Sequence, residues 1–317
     1  MRGLRRGLGC PRHCGWFKYP SFLDILALRT WRSLPSHPPR GLPPRPSPLS
    51  DAPPETGIRI VRDNRTFREL YPDLRAGDVV VGLLNLKPTE ESLFLDLSER
   101  GVRLFPPALA QHLSRSKCLQ AMVLGRWMVP DTFVARDRHD LVRQLNRYGA
   151  RGHGAVVTKQ NRFNCGLGIH RWESLEAVYN QACFGSLAYP FVVQPFLEGA
   201  RDIRVVILGD YVEAYWRENP NSFRNNLFFG GRSGHHRLTP EQEALCRDAM
   251  ARGRFPYAHV DLLVAPDGTA YLSEINLRGG LKGARIDHRA YQEKIEELNA
   301  AFLREVTGEA PPAEPRT

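Results

Sequence analysis

A mixed α/β (α+β) protein is what this 317-residue sequence predicts. From Gly57 onward, short β-branched and apolar runs alternate with amphipathic stretches of helical period, the pattern of sheets packed under helices. The strongest runs come in pairs around turn residues, DIRVVILG and YVEAYWRE about Leu208-Gly209-Asp210, AHVDLLVA and AYLSEIN about Pro266-Asp267-Gly268, which reads as antiparallel hairpins. Apolar stretches at 22–28 and 79–86 are short or interrupted by Asp24 and Asn85. A membrane-spanning helix needs roughly 18 consecutive apolar residues, so no membrane partner is expected.

The first 55 residues stand apart. They hold nine basic and three acidic side chains, net +6 of the chain's +10, and positions 35–54 carry nine prolines, which remove backbone donors and forbid helix or central strand. Residues 1–55 are expected to be a disordered basic, Pro-rich extension, although the patch SFLDILALRTW in an Arg-rich context also has the composition of a transit peptide. The other 262 residues carry only +4, no concentrated phosphate-binding face, so nucleic acid is not an expected partner. Six cysteines (Cys10, Cys14, Cys118, Cys165, Cys183, Cys246) are scattered without a secretory signal, which points to free thiols and a cytoplasmic compartment. Cys10, His13 and Cys14 make at most half a metal site.

Beyond the extension, GIRIV and DVVVGLL read as strands, TEESLFLDLSERG as a helix closed by Gly101, and VRLFP as a third strand: a small α/β unit over 56–112. A helix over 116–125, strand TFVA, helix DRHDLVRQLNRYG, strand AVVTKQ and the loop NCGLGI follow. Next comes a helix with Ser174 as N-cap and Gly185 just past its end, then the strand FVVQPFL. After the first hairpin, Thr239-Pro240-Glu241-Gln242 forms a capping box opening a helix that should stop at Gly253. The last helix sets Tyr291, Ile295, Leu298, Phe302 and Val306 on one stripe, and 311–317 is left as a tail. No repeat of solenoid or propeller length occurs.

Asp261, Glu274 and Asn276 are the most informative residues. Strand side chains alternate with period two, so Glu274 and Asn276 share a face, and the hairpin brings Asp261 beside them. Three hard oxygen donors then converge, a set suited to Mg²⁺ shared with phosphate oxygens; the alternative is an exposed polar hairpin face. Lys159 ends a strand just before the glycines Gly166 and Gly168, whose backbone would let N–H groups approach a phosphate. Arg204, Arg217 and Arg224 lie on or after long strands and need an anion, or a cross-strand acid such as Glu213 or Glu218.

The ordered segments SRSKCLQAMVLGRWMVPDTFV, VVTKQNRFNCGLGI, VVQPFLEGARDIRVVILGDYVEAYWRE, FRNNLFFGG and VDLL…YLSEIN resemble the ATP-grasp superfamily, specifically its RimK-type carboxylate–amine ligases, over about residues 113–287. The resemblance implies an ATP-grasp fold in which two α/β subdomains, 113–195 and 196–310, clasp ATP behind a small N-terminal α/β domain. It implies that Lys117 and Lys159 contact ATP phosphates, that Gly166 and Gly168 cover them, and that Gln194, Pro195, Phe196 and Leu197 line the adenine pocket. Arg204, Arg217 and Arg224 would face the transferring phosphoryl group and a substrate carboxylate, and Asp261, Glu274 and Asn276 would hold Mg²⁺, or Mn²⁺ in its place. The chain departs from the pattern at Gln160, where relatives carry Pro, at Phe163-Asn164, where they carry Gly-Ser, and at Leu277-Arg278-Gly279-Gly280, where many carry Pro-Gly. Arg278 is open to a substrate carboxylate or to a structural ion pair.

The implied activity is ATP- and Mg²⁺-dependent ligation of a carboxylate to an amine, from an amino acid or peptide, through an acyl phosphate; a homo-oligomer would be in keeping with relatives. His235 and His236 would either assist amine deprotonation or decorate a solvated loop. The competing reading is a nucleotide-binding regulatory or scaffold protein on a degenerate ATP-grasp fold, against which the retained metal-type ligands argue. A basic tail serving RNA or DNA is the third.

Overall fold

The computed structural model describes residues 57–308 apart from 164, 165, 226, 228 and 229. The expected extension over 1–55, the tail over 311–317, Cys10, His13, Cys14 and Cys165 lie outside the described residues.

The first sheet is parallel, in the order β1 (Ile60–Val61), β2 (Val79–Val81), β3 (Arg103–Phe105). Helices α1 (Asn64–Leu70) and α2 (Leu93–Glu99) cover it, burying Phe67, Phe94 and Leu97 against Val61, Val80 and Leu104. Helix α1 was not legible from periodicity, because over seven residues it buries only Phe67; Asp63 starts it by accepting from the amides of Arg65 and Thr66. Helices α3 (Ala108–Leu113) and α4 (Lys117–Leu124) lead onward, α4 capped by the Ser116 hydroxyl.

The second sheet is antiparallel and runs β4 (Phe133–Ala135), β7 (Phe191–Pro195), β5 (Val156–Gln160), β6 (Ile169–Trp172). Helices α5 (Arg138–Ala150) and α6 (Leu175–Cys183) share a core with it through Leu141, Tyr148, Leu175 and Val178. Strand β6 has no hidden residue, so it carried no apolar alternation to find.

The third sheet, also antiparallel, runs β10 (Arg232–His235), β9 (Tyr211–Glu218), β8 (Arg201–Leu208), β11 (Tyr257–Val264), β12 (Ala270–Asn276). Gly209 and Asp210 form the two-residue connection of β8 and β9, with Leu208 opposite Tyr211. Period-two alternation gives this sheet two unlike faces. Ile203, Val205, Ala214, Val260, Leu262, Leu272 and Ile275 form one, buried in the largest core with α4 and with α7 (Pro240–Gly253), which packs on β11 and β12. Asp202, Arg204, Arg217, Asp261, Glu274 and Asn276 belong to the other. The last helix, α8 (His288–Thr307), packs on β8 and stacks Phe302 on Phe105 at the edge of the first sheet.

Helix α7 includes Gly253 as its last residue, and it is Arg254 that takes the left-handed conformation expected of a terminating glycine (φ 58). Amides of Arg254 and Phe255 donate back to Ala251 and Met250, which turns Phe255 into the core.

Candidate active site

The charged face of the third sheet looks into a cavity of about 810 Å³ whose opposite wall is the second sheet, through Val157, Lys159 and Gln194. Register sets the contacts. Asp261 is paired with Arg204 on one side and Glu274 on the other, and Arg217 lies across from Asp202. Arg204 grips Asp261 through Nε–Oδ1 and Nη2–Oδ2 bonds, both 2.8 Å. Arg217 bonds Asp202 (Nε–Oδ1 2.6 Å) and reaches Asp261 at 3.1 Å.

Arg204 and Arg217 therefore do not pair with Glu213 or Glu218. Glu213 sits opposite Val206 and accepts from the Tyr211 hydroxyl and the amides of Arg285 and Ile286, while Glu218 pairs with Arg232. Strand order decides this, because β8 lies between β9 and β11 and brings Asp202 and Asp261 to the guanidiniums. Burial alone would raise the pKa of Asp261, but the adjacent Arg204 and Arg217 charges outweigh it and hold the carboxyl well below its usual range. Asp202 moves the other way, raised by burial with the Asp261 charge adding to it.

Asp261, Glu274 and Asn276 all line the cavity. Glu274 Oε1 accepts from Asn276 Nδ2 and from Lys117 Nζ, each at 3.0 Å. Among the described residues no group of three or more His, Cys, Asp or Glu side chains is arranged to hold a metal. Two carboxylates and one amide fall short of a complete cage, yet they fit Mg²⁺, which keeps waters and takes its remaining ligands from phosphates.

A β-bulge between Asp261 and Leu262 pairs Leu262 with Leu272 and leaves Ser273 outside the ladder. Lys159 takes up that residue, its Nζ donating to Ser273 O at 3.1 Å and Oγ at 3.2 Å, and burial pushes its pKa down to about 8. Lys117 does not line the cavity; its Nζ ties the Phe163 carbonyl (2.6 Å) to Glu274. Gly166 lines the cavity and Gly168 does not. Gly168 instead accepts from the Gln160 amide at φ 68, where a Cβ would lie 2.8 Å from the Gln160 Cβ, so closing the β5–β6 hairpin itself demands glycine. Gln194, Phe196 and Leu197 line the cavity, whereas Pro195, between Gln194 and Phe196, belongs to the opposite face. Arg224 is on the wall, donating to the Ile169 carbonyl. His235 and His236 are not on the wall; His236 Nε2 pairs with Gln242 Oε1 at the start of α7.

Asp202 stood out in the sequence only as the acid two residues before Arg204, and the wall residues Ser273 and Lys282 carried no sequence signal. Nor did the clamp on the glycine loop. Arg162, at φ 66, makes a two-pronged pair with the buried Glu91 just before α2 (2.5 and 2.6 Å), and His112 Nε2 joins Glu91 at 2.9 Å. The spacing of 71 residues hides it from any local pattern.

Comparison with known proteins bears on the whole arrangement. Residues 113–295 match the model of the RimK-like ATP-grasp domain. A probable alpha-L-glutamate ligase of Trichodesmium erythraeum is 31% identical over 191 residues, 58% of this chain and 62% of that protein, so the chain spans about three fifths of that relative. Probable alpha-L-glutamate ligase 2 of Hahella chejuensis is 35% identical over 240 residues, 70% of this chain and 72% of that one. The crystal structure of a D-cycloserine synthetase shares the fold at a TM-score of 0.54 and 14% identity, covering 78% of this chain and 100% of the other. Family match and shared fold agree with the strand order and the opposed sheets: the chain belongs to the RimK-like ATP-grasp family.

Proposed function

We propose that the chain is an ATP- and Mg²⁺-dependent ligase that joins a carboxylate to the amine of an amino acid or peptide through an acyl phosphate. The observation that carries this reading is the charge balance of one cavity. Lys159, Arg204, Arg217, Arg224, Arg278 and Lys282 line it against Asp202, Asp261 and Glu274, an excess of cations suited to a triphosphate and a carboxylate. Both relatives are named as probable glutamate ligases, which supports an amino acid as one substrate.

In this mechanism the substrate carboxylate oxygen attacks the γ-phosphorus; an O–P bond forms, the bond to the β-phosphate oxygen breaks and ADP leaves. The amine nitrogen then attacks the acyl carbon, the C–O bond to phosphorus breaks, and phosphate departs as the nitrogen gives its proton to solvent or phosphate. Asp261, Glu274 and Asn276 would hold Mg²⁺, which when bound would supply neutralising charge to the phosphates. Lys159 stays anchored by Ser273 beside the phosphates, and Gln194, Phe196 and Leu197 wall the base. Arg204 and Arg217, prealigned by Asp261 and Asp202, present fixed positive charge where negative charge spreads in the transition state, and Arg224 adds to it. No protein nucleophile is required.

Thermal unfolding with and without Mg-ATP tests this. At about a hundred times its dissociation constant the nucleotide adds roughly 2.7 kcal/mol to wild-type stability. The shift is expected to need Mg²⁺ and to vanish in Asp261→Asn/Glu274→Gln, and ADP release on an amino-acid and peptide panel follows. No shift in folded wild-type protein would move the scaffold reading to first place.

A further inference from the structure

A second cavity, also of about 810 Å³, shares the Arg278-Gly279-Gly280 segment with the first as a common wall. Gly279 is needed there for close approach: a Cβ would lie 2.5 Å from the His259 ring. The remaining walls come from Gly82-Leu83 after β2, from Tyr257 at the head of β11, and from the stripe of α8 that carries Tyr291, Ile295 and Asn299.

Its chemistry is graded. At the common wall stands Arg278, which makes no hydrogen bond or ion pair among the described residues and whose charge acts on the Tyr257 and Tyr291 hydroxyls. Leu83, Leu277, Tyr291 and Ile295 make an apolar middle. Glu296 and Asn299 are acceptors further along α8. Asn299 is buried, and its Oδ1 has no hydrogen-bond partner among the described residues. A buried amide oxygen left unpaired forfeits the hydrogen bond it would make in water, so a donor is called for at that spot.

Resting on the ligase reading, we infer that this second cavity receives the side chain of the amine substrate, and that the substrate is an amino acid with an apolar stem and a cationic end. Its carboxylate bonds Arg278 at the common wall, which keeps the reacting amine near the first cavity. The stem lies along Tyr291 and Ile295, and the terminal ammonium donates to Asn299 Oδ1 and Glu296. A glutamate side chain would set its second carboxylate against these two acceptors, so the acceptor chosen here differs from the amino acid in the relatives' names.

The test is calorimetric titration of the full chain, with Mg²⁺ and a non-hydrolysable ATP analogue present, by L-lysine, L-norleucine and L-glutamate. L-Lysine is expected to bind about tenfold more tightly than either competitor. Glu296→Gln is expected to weaken L-lysine about fivefold, and Asn299→Leu to remove its advantage over L-norleucine, both without changing binding of the analogue. The cavity assignment is overturned if L-glutamate is preferred, if none of the three binds, or if both variants keep the wild-type order at wild-type thermal stability. Failure of the analogue itself to bind would instead overturn the ligase reading.

Discussion

Asp131 and Asp261 both hide their carboxylates among arginines, and of the two it is Asp261 that lines the large cavity. Asp131 precedes β4 at φ 64, paired with Arg147, Arg151 and His153, and its carbonyl accepts from the Tyr148 hydroxyl. Two of those cations are half exposed, so solvent shares the work of balancing charge. Asp261 has Arg204 and Arg217, both buried or nearly so, with Arg217 divided between Asp261 and Asp202. The difference teaches that an acid ringed by arginines is not in itself a mark of a site. What marks one is a wall on which more cations stand than the local acids can pair, as they do around Asp261.

Four outcomes would break or sharpen that contrast. Arg217→Met should have the largest effect, because it leaves Asp202 and Asp261 facing each other without a shared cation. A loss of about 3–5 kcal/mol in denaturant unfolding is expected, with loss of the Mg-ATP thermal shift. Asp131→Asn keeps the shape and tolerates the left-handed backbone, so it should cost about 1–2 kcal/mol and leave the response to Mg-ATP intact; a lost response would erase the distinction between the two clusters. Glu91→Gln breaks the clamp on the glycine loop at a cost of about 1 kcal/mol and should raise the dissociation constant for Mg-ATP about threefold, measured by titration.

The smallest effect is in the pH profile. Hydrogen bonding from Arg151, then from His153, lowers the Asp131 pKa to about 2 from an ordinary value of 3.8. A lowered carboxyl pKa stabilises the fold fully above the unfolded value and loses that contribution as pH falls through the folded one. The part of the stability gap between wild type and Asp131→Asn that comes from this carboxylate should therefore close between about pH 4 and pH 2.

Much of the local structure was legible. Ser116, Ser174 and the Thr239–Gln242 capping box start helices where their side-chain oxygens accept from backbone amides, and each rule acts within four residues. The convergence of Asp261, Glu274 and Asn276 was legible for the same reason: one tight turn and period-two alternation suffice to place them. Edge strands β6 and β10 escaped notice because they are half solvated and need no apolar alternation. The αL position at Arg254 escaped because a glycine stood one residue earlier.

By itself the sequence determined the longer helices, the hairpins β8–β9 and β11–β12, and which three oxygen donors share a strand pair, since these follow from short-range sterics and hydrogen bonding. The tertiary structure decided who neutralises whom. Arg217 meets Asp202 and Asp261 rather than Glu213 because β8 lies between β9 and β11, and Arg162 meets Glu91 because the turn before α2 lies beside the β5–β6 loop. Lys117 is held between Glu274 on the cavity wall and the Phe163 carbonyl. Charge pairing depends on distances of a few ångströms between residues dozens of positions apart, and only strand order and packing set such distances.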